Sequence, residues 1–596
     1  MPAATDLRAQ TSLLWIKVNG TELDVSQVVD LIIEQDLMAA ASFTIRLRDV
    51  DDRSTQRTQV YTPMLDSDRL PIGAEIEIGL GHEERPEPVL VGIVMSLELE
   101  ARNDAMPVLT VRGYDISHKM RRERKSRAFL NVTDSDIVQK IAREYNLGTS
   151  RGVERTSEVY PHVFQDNQTD WEFLQARARH VGYELFVEGR WLYFRKPPAG
   201  ERGPQLALNQ TLRRVRVRLS APAQVSEVIV KGWDPVAKRE IIGRATRPSL
   251  QHQIGESRSG AQISSALGSG KQVIVDQPVH TQREAEALAQ SILDEIAGEY
   301  IQLEGVCLGD PRLRPGRPVT LQNIGTRFSG TYYLSAATHR VTPDQGYLTH
   351  FSFTGRRAAT LTALLTEPGP AGRTNGHPGR YTGVATGIVT NNKDPEHGYR
   401  VKVRLPWLAD DESAWARLAS PMAGAERGFF FLPEVGDEVL VAFEHGNINY
   451  PVIVGMLWNG RDKPPQPASA VVSATGKVNQ RILKSRLGHT VTLDDSEESP
   501  GIIIVDKTGK NIIKLNSQTN ELTISVEGNL SLNAKGNISL TAQRNVSITA
   551  QGNLDASAQM NASMEAKAGK ATVKGVTGEV QASGPLTVKG ATVNIN

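Results

Sequence analysis

Gly528-Asn529-Leu530-Ser531-Leu532-Asn533-Ala534, Gly536-Asn537-Ile538-Ser539-Leu540-Thr541-Ala542 and Asn545-Val546-Ser547-Ile548-Thr549-Ala550 are one phrase repeated at a step of eight. Asn529, Asn537, Asn545, Asn553 and Asn561 keep that step, and so do Ala534, Ala542, Ala550, Ala558 and Ala566. Between each Asn and the next Ala, apolar side chains alternate with Ser, Thr or Asn. Period-two alternation is the mark of a strand with one buried face. Gly528, Gly536 and Gly552 precede the Asn of their repeats, and Gly and Asn tolerate the positive φ that a corner needs. Each octad therefore reads as a strand of about six residues and a two-residue corner.

A strand with two apolar residues and one Ala on its inner face encloses nothing by itself. Three identical chains wound about one axis solve the problem: each octad forms one side of a triangular tube, and the inward residues of three chains meet. The expected axis residues are Leu530, Leu532, Ala534, Ile538, Leu540, Ala542, Val546, Ile548 and Ala550. Strands of neighbouring chains then pair above and below, so free edges vanish along the shaft. At roughly 5 Å per octad the needle is on the order of 40 to 50 Å long. The alternative is a single-chain β-solenoid, which normally uses longer coils with more apolar residues per turn.

The 596 residues exceed what one core accommodates, so three or more domains are expected. Lys plus Arg (68) balance Asp plus Glu (67), and that charge recruits neither nucleic acid nor an anionic membrane. A single cysteine, Cys307, excludes an intrachain disulfide framework and a cysteine zinc site. Met1 to Gln10 lacks a basic segment followed by an apolar run, and no stretch has eighteen apolar residues. The expectation is synthesis in the bacterial cytoplasm without a cleaved signal.

Upstream of the octads, residues 1–356 read as two strand-rich barrels with short helices between them. Strands are expected at Leu13 to Val18, Ser42 to Leu47, Glu75 to Leu80, Val89 to Leu99 and Val108 to Gly113, and later at Tyr183 to Phe194, Ser226 to Trp233, Tyr300 to Val306, Val319 to Gln322 and Thr331 to Arg340. Helices are expected after caps at Asp134 or Ser135, at Thr169 or Asp170, and at Thr281, where Glu284 completes a capping box. Residues 357–380 form a linker, with Pro and Gly crowded into Glu367 to Arg380. Residues 381–458 hold five or six strands in a small closed barrel of OB type. A linker and neck (459–515) and the octad needle (516–596) complete a mainly β chain.

The OB segment carries a resemblance. Gly398-Tyr399-Arg400-Val401-Lys402-Val403-Arg404-Leu405-Pro406-Trp407, Trp415-Ala416-Arg417, Phe431-Leu432-Pro433-Glu434-Val435-Gly436-Asp437-Glu438-Val439-Leu440-Val441 and Pro451-Val452-Ile453-Val454-Gly455 resemble the OB domain of VgrG and phage-tail spike proteins. Arg112-Gly113-Tyr114-Asp115, Asp134-Ser135-Asp136-Ile137 and Thr169-Asp170-Trp171-Glu172-Phe173-Leu174 are similar to the phage late-control D family. The resemblance implies a homotrimeric central spike of a contractile injection machine. Its hub would meet inner tube and baseplate proteins, and its needle would puncture a target membrane transiently, with effector cargo as a further passenger. The phrases around Leu405 to Leu408 and Ser420 to Gly424 look more like spikes of extracellular phage-tail-like particles than like type VI VgrG proteins or true phage tails. Val593, Asn594, Ile595 and Asn596 would form a blunt triangular end for a PAAR-type cap protein.

Chemical candidates are sparse. Gly268-Ser269-Gly270-Lys271 lacks the first Gly and the final Ser or Thr of a phosphate loop. The basic run Arg121 to Arg127 is interrupted by Glu123 and has no interleaved aromatics, so a solvated or intersubunit face is expected. Asp410, Asp411, Glu412, Glu434 and Asp437 at the OB loops would repel nucleic acid. No histidine lies beyond His489, so no tip metal is expected. No cofactor and no catalytic residue is assigned, and the expected role is mechanical. The rival class is a cell-wall hydrolase or glycan-binding trimeric fibre. Against it, the shaft carboxylates Glu521, Glu527, Asp555, Glu565 and Glu579 are dispersed, and no Phe, Trp or Tyr follows Gly501.

Overall fold

The longest run of alternating apolar residues in the front region feeds one continuous ladder rather than two separate sheets. In the computed structural model, which describes residues 12–48, 63–66, 69–82, 86–102, 105–198, 200–249, 252–268, 270–355 and 381–595, eleven strands pair in the spatial order Leu212–Leu219, Ile301–Leu308, Gly346–Phe353, Ala336–Thr342, Val28–Asp36, Ser42–Arg48, Ala105–Asp115, Glu87–Arg102, Glu75–His82, Ser12–Val18 and Thr21–Leu23. The expected linker Glu367 to Arg380 lies outside the described residues. The join is the antiparallel pairing of Val28–Asp36 with Ala336–Thr342, from Leu31 opposite Val341 to Asp36 opposite Ala336. Two cores lie along this ladder. One gathers Ile16, Ile33, Phe43, Ile45 and Ile76, and the other Leu303, Cys307, Tyr332, Phe351 and Phe353. The two expected barrels thus correspond to two cores that share one sheet.

The helices sit where the polar residues flanking the apolar periodicity can close their first turn. Asp134–Glu144 begins before either expected cap, Asp134 or Ser135, because Thr133 is the cap and exchanges side-chain bonds with Asp136. Asp134 accepts instead from Arg177 Nε at 2.5 Å in a fully buried position. Asp170–Val181 is capped by Thr169 with Glu172 in the reciprocal role. Gln282–Gly298 starts at Thr281 as expected, but the box is only half made. Thr281 accepts from the Glu284 amide, whereas the Glu284 carboxylate accepts from the His280 amide at 2.9 Å and lies 3.1 Å from His180 Nε2. Gly260–Leu267, capped by Ser259 and Gln262, is a helix not expected from the sequence. It removes the phosphate-loop pattern, since Gly268 (φ 130°) ends a helix and Lys271 opens a strand, the reverse of a loop that feeds a helix N-terminus.

The basic run divides: Arg122 and Arg124 are exposed, as the expected solvated face requires, whereas Lys125 and Arg127 form a lock inside the chain. Lys125 Nζ and Arg127 Nη2 each reach the Asp170 carboxylate at 2.7 Å, and both also bind Glu144. Tyr145 Oη donates to Asp170 at 2.6 Å. The Arg112-Gly113-Tyr114-Asp115 phrase is equally structural. A Cβ on Gly113 would stand 1.9 Å from the Ile93 carbonyl, and Asp115 accepts from the Ala41 and Ser117 amides.

Among the described residues of the front region one histidine is sealed and a second is half-buried. His339, wholly buried, places Nδ1 2.8 Å from Tyr347 Oη and 3.2 Å from Thr349 Oγ1, and burial pushes its pKa down to about 3. Burial also takes His252 down to about 4.

Residues 381–458 form a five-stranded sheet ordered Lys402–Arg404, Val384–Asn391, Glu438–Phe443, Pro451–Met456 and Arg417–Leu418. Val389, Val401, Val403, Val439, Val441 and Ile453 fill it, and Phe164 from the Tyr160–Thr169 strand inserts into the same core. Hydrogen bonds tie the barrel to the preceding region, among them Phe164 N to Asn449 Oδ1 (2.7 Å), Ala128 N to Asp411 Oδ2 (2.8 Å), His162 Nε2 to the Glu412 carbonyl (2.9 Å) and Tyr381 Oη to Asp166 Oδ1 (2.6 Å). Asp411 is thereby occupied within the chain. Arg400 clamps Asp394 with two bonds of 2.8 and 2.9 Å and holds its carboxyl well below the usual range.

Chain contacts divide the molecule into two units, Met1–Pro464 and Pro465–Asn596. In the second, Gln480–Lys484, Thr490–Asp494, Gly501–Val505, Ile512–Asn516 and Glu521–Ser525 form an antiparallel meander in chain order. Residues 526–595 contain no strand paired within the chain.

Candidate self-association surface

Strict alternation gives the meander two unlike faces. On one, Leu483, Val491, Ile504, Ile513 and Ile524 form a row, each opposite the next across the register. Beside it, Leu493, Ile502, Leu515 and Leu522 form a second. All nine are exposed, from 37% at Val491 to 61% at Leu522. The other face carries Thr490, Thr492, Lys514, Thr523 and Ser525 with Ile482, Ile503, Val505 and Ile512. Alternation that strong is legible in the sequence, yet residues 481–515 are expected there only as a neck with strands, without an apolar face.

The hairpin turns are fixed locally, so the face is preorganised. Asp506 accepts from the Thr508 hydroxyl and amide and from Asn511, and those bonds hold its pKa down to about 2. Asn516 Oδ1 accepts from the Gln518 and Thr519 amides, and Asn520 takes φ 55°. At the exit, Glu527 N donates to Asn511 Oδ1, and Lys510 Nζ lies 2.6 Å from the Glu527 carboxylate.

Beyond that exit the apolar side chains of the octads are exposed as well. Leu530, Leu532, Ile538, Leu540, Val546 and Ile548 are 56 to 72% exposed, and Ala534, Ala542 and Ala550 are exposed with them. Val593 and Ile595 are exposed at 47% and 90%, Asn594 is exposed, and Asn596 lies outside the described residues. Among the described residues after Pro464 only Asp494 and Gly501 are buried, and neither is a hydrophobe. Burial of apolar area is the main favourable term in folding, so this surface is a candidate for self-association. Among the described residues no group of three His, Cys, Asp or Glu side chains is placed to hold a metal ion.

A second exposed apolar patch, not expected from the sequence, lies on the OB barrel. Phe429, Phe430 and Phe431 are 54, 73 and 52% exposed, and Ser420 Oγ anchors the loop by donating to the Phe429 carbonyl at 2.7 Å. Three consecutive aromatics beside a Gly-rich turn were the available signal.

Comparison with known proteins adds family identity. The family model described as the Alg8 N-terminal domain matches residues 8–343, and that of the type VI secretion system/phage-baseplate injector OB domain matches residues 385–458. The type VI secretion system spike protein VgrG1c of Pseudomonas aeruginosa is 30% identical over 159 residues, 25% of this chain and 20% of that protein. The actin cross-linking toxin VgrG1 of Vibrio cholerae serotype O1 is 36% identical over 75 residues, 12% of this chain and 7% of that protein. The chain thus aligns with only a small part of these relatives. Among solved structures, the E. coli c3393 protein, a type VI secretion component, matches with TM-score 0.46 and 17% identity over 74% of this chain and 99% of that one. A chain of the half-lidded Francisella PdpA-VgrG complex matches with TM-score 0.49 and 10% identity over 87% and 88%. With more than half of its length matched by one family model and its barrel by another, the chain belongs to the Alg8 N-terminal domain family and, through its injector OB domain, to the VgrG and phage-tail spike proteins.

Proposed function

We propose that the chain is the central spike of a contractile injection machine: a non-enzymatic homotrimer whose front unit is the hub on the tube and baseplate and whose octads are the needle. One observation carries the reading. The back unit has no apolar core of its own, and its exposed side chains lie in rows that three copies can close about an axis. The family membership supports the hub and barrel assignment. Sheath contraction drives the tube and spike at a target envelope, and interchain strand pairing gives the needle its stiffness. A PAAR-type cap closes the end formed by Val593 to Asn596, and effector cargo travels with the spike. The domain scheme is hub to residue 356, linker to 380, OB barrel to 458, linker and neck to 515, and needle to the end. The machine is an extracellular phage-tail-like particle. The type VI reading has its own support in the names of the curated relatives.

The axial model is tested by Ala542→Cys under mild oxidation. The sole native cysteine, Cys307, is buried in the front unit, so background is low. Three Ala542 positions meeting on one axis give disulfide-linked pairs on a non-reducing gel. If the variant stays entirely unlinked, the axis is misplaced.

A further inference from the structure

A cleft of about 500 Å³ opens within the front unit, where the paired strands Arg124–Val132 and Tyr160–Thr169 and the start of Gln282–Gly298 face the OB barrel. That size suits a drug-sized ligand or a short peptide. Its two walls are fixed to each other by the bonds from His162 to the Glu412 carbonyl and from Phe164 to Asn449. Four large apolar side chains from four separate segments, Leu130, Val159, Val236 and Tyr399, meet in the cleft and are 41 to 68% exposed. Three of them are held where they stand. Leu130 is opposite His162 in the strand pair. The turn that carries Val236 is closed by Asp234 Oδ1, which accepts from the Val236 and Ala237 amides at 3.0 Å. Tyr399 follows Gly398 (φ 70°) and precedes Arg400, which Asp394 clamps.

The charges of the cleft are not balanced. Arg400 is spent on Asp394 and Glu396, and Lys402 on Glu412. Glu158 accepts from Thr281 Oγ1 at 3.3 Å, and Glu444 faces His280 Nε2 at 3.8 Å. His280 is stacked on Tyr450 and its pKa is lowered by burial, so it brings no charge at neutral pH. Among the described residues neither Glu158 nor Glu444 is ion-paired to Lys or Arg, and Arg417 is the one lining cation without a carboxylate partner. Two uncompensated carboxylates thus stand against one guanidinium. A small cation would satisfy the carboxylates and leave the four apolar side chains wet. A purely apolar ligand would desolvate the carboxylates without compensation. A peptide segment with one lysine or arginine between apolar residues meets both demands.

We propose that this cleft is a docking site for such a segment of a partner protein, whose basic side chain reaches Glu444 and Glu158 while its apolar neighbours cover Leu130, Val159, Val236 and Tyr399. Walls held in place before the partner arrives keep the ordering cost of binding low. The inference concerns the front unit alone and does not depend on the spike reading.

The test uses the full-length chain and three fluorescein-labelled pentapeptides, serine-leucine-X-leucine-serine with X as lysine, glutamine or glutamate, followed by fluorescence anisotropy. The lysine peptide is expected to bind about tenfold more tightly than the glutamine peptide. The glutamate peptide should be weakest, and the preference should shrink as salt is raised. Glu444→Gln combined with Glu158→Gln should erase the preference with the melting temperature unchanged, and Val236→Ser should weaken all three peptides. No binding of the lysine peptide, equal binding of the lysine and glutamate peptides, a preference that survives the double variant, or unchanged affinities in Val236→Ser each overturn the inference. The other possible occupant is a neighbouring copy, which Val236→Cys tests. The sole native cysteine is buried, so rapid maleimide labelling of the new thiol supports an open cleft, and protection of that thiol overturns the proposal.

Discussion

The two units answer the same physical demand in opposite ways. The front unit buries its hydrophobes within one chain, in cores that include residues with no exposure at all, such as Ile45, Leu303 and Val403. The back unit leaves its Leu, Ile and Val unburied, from 37% exposure on the apolar face of the meander to 72% at Leu540 in the octads. The difference lies in the spacing of partners. A front strand such as Val28–Asp36 finds its neighbour 300 residues away in the same chain, whereas an octad repeats too quickly to meet anything but itself. One unit is stable as a property of the polypeptide, the other as a property of an assembly.

The sharpest break of that contrast comes from matched core substitutions. Phe43→Ala, in a fully packed site, should cost about 3 to 5 kcal/mol and lower the melting of the front unit equally at every protein concentration. Leu540→Asp should act only through assembly. It sets three carboxylates on one axis at a severe desolvation cost, so trimers persist but lose their resistance to heat and detergent. If those trimers are as resistant as the wild type, the axis is wrong.

Acid should separate the units by a smaller margin. His339 and His252 are held uncharged, with pKa values pushed down to about 3 and about 4 against about 6.5 unfolded. Depressed histidines give stability that is complete above the unfolded value and lost as pH falls toward the folded one. The front unit should therefore weaken between about pH 6.5 and 3. His339→Gln combined with His252→Gln should flatten that slope, and an unchanged slope would assign it elsewhere. The smallest effect on stability is expected from deleting Gly590 to Asn596. Trimers and melting should be untouched while binding of a PAAR-type cap is lost, and retained binding in a pull-down would move the cap site.

Much of this contrast is legible in the residues themselves. The alternation at Val401, Val403 and Leu405 and the Thr169-x-x-Glu172 cap are local signals, and each appears where its period or spacing puts it, whereas the octad step is not expressed as strands within one chain. What stayed hidden was non-local. Val28–Asp36 has apolar residues bunched at Leu31, Ile32 and Ile33 rather than cleanly alternating, and only its place in the middle of the ladder explains them. Lys125 and Arg127 read as a surface run because their partners, Glu144 and Asp170, are on other elements. Glu284 satisfied the spacing of a capping box, yet in the folded chain its two carboxylate oxygens are taken by the His280 amide and by His180 Nε2. The apolar face of the meander needed the register, since rows across strands follow from which residue stands opposite which.

The most direct measurement is the solution mass of the purified full-length chain by light scattering, combined with limited proteolysis. The account predicts three times the 65.2 kDa chain mass, with residues 480–595 protected while the trimer lasts. A stable particle of one chain mass with that same segment protected would contradict it.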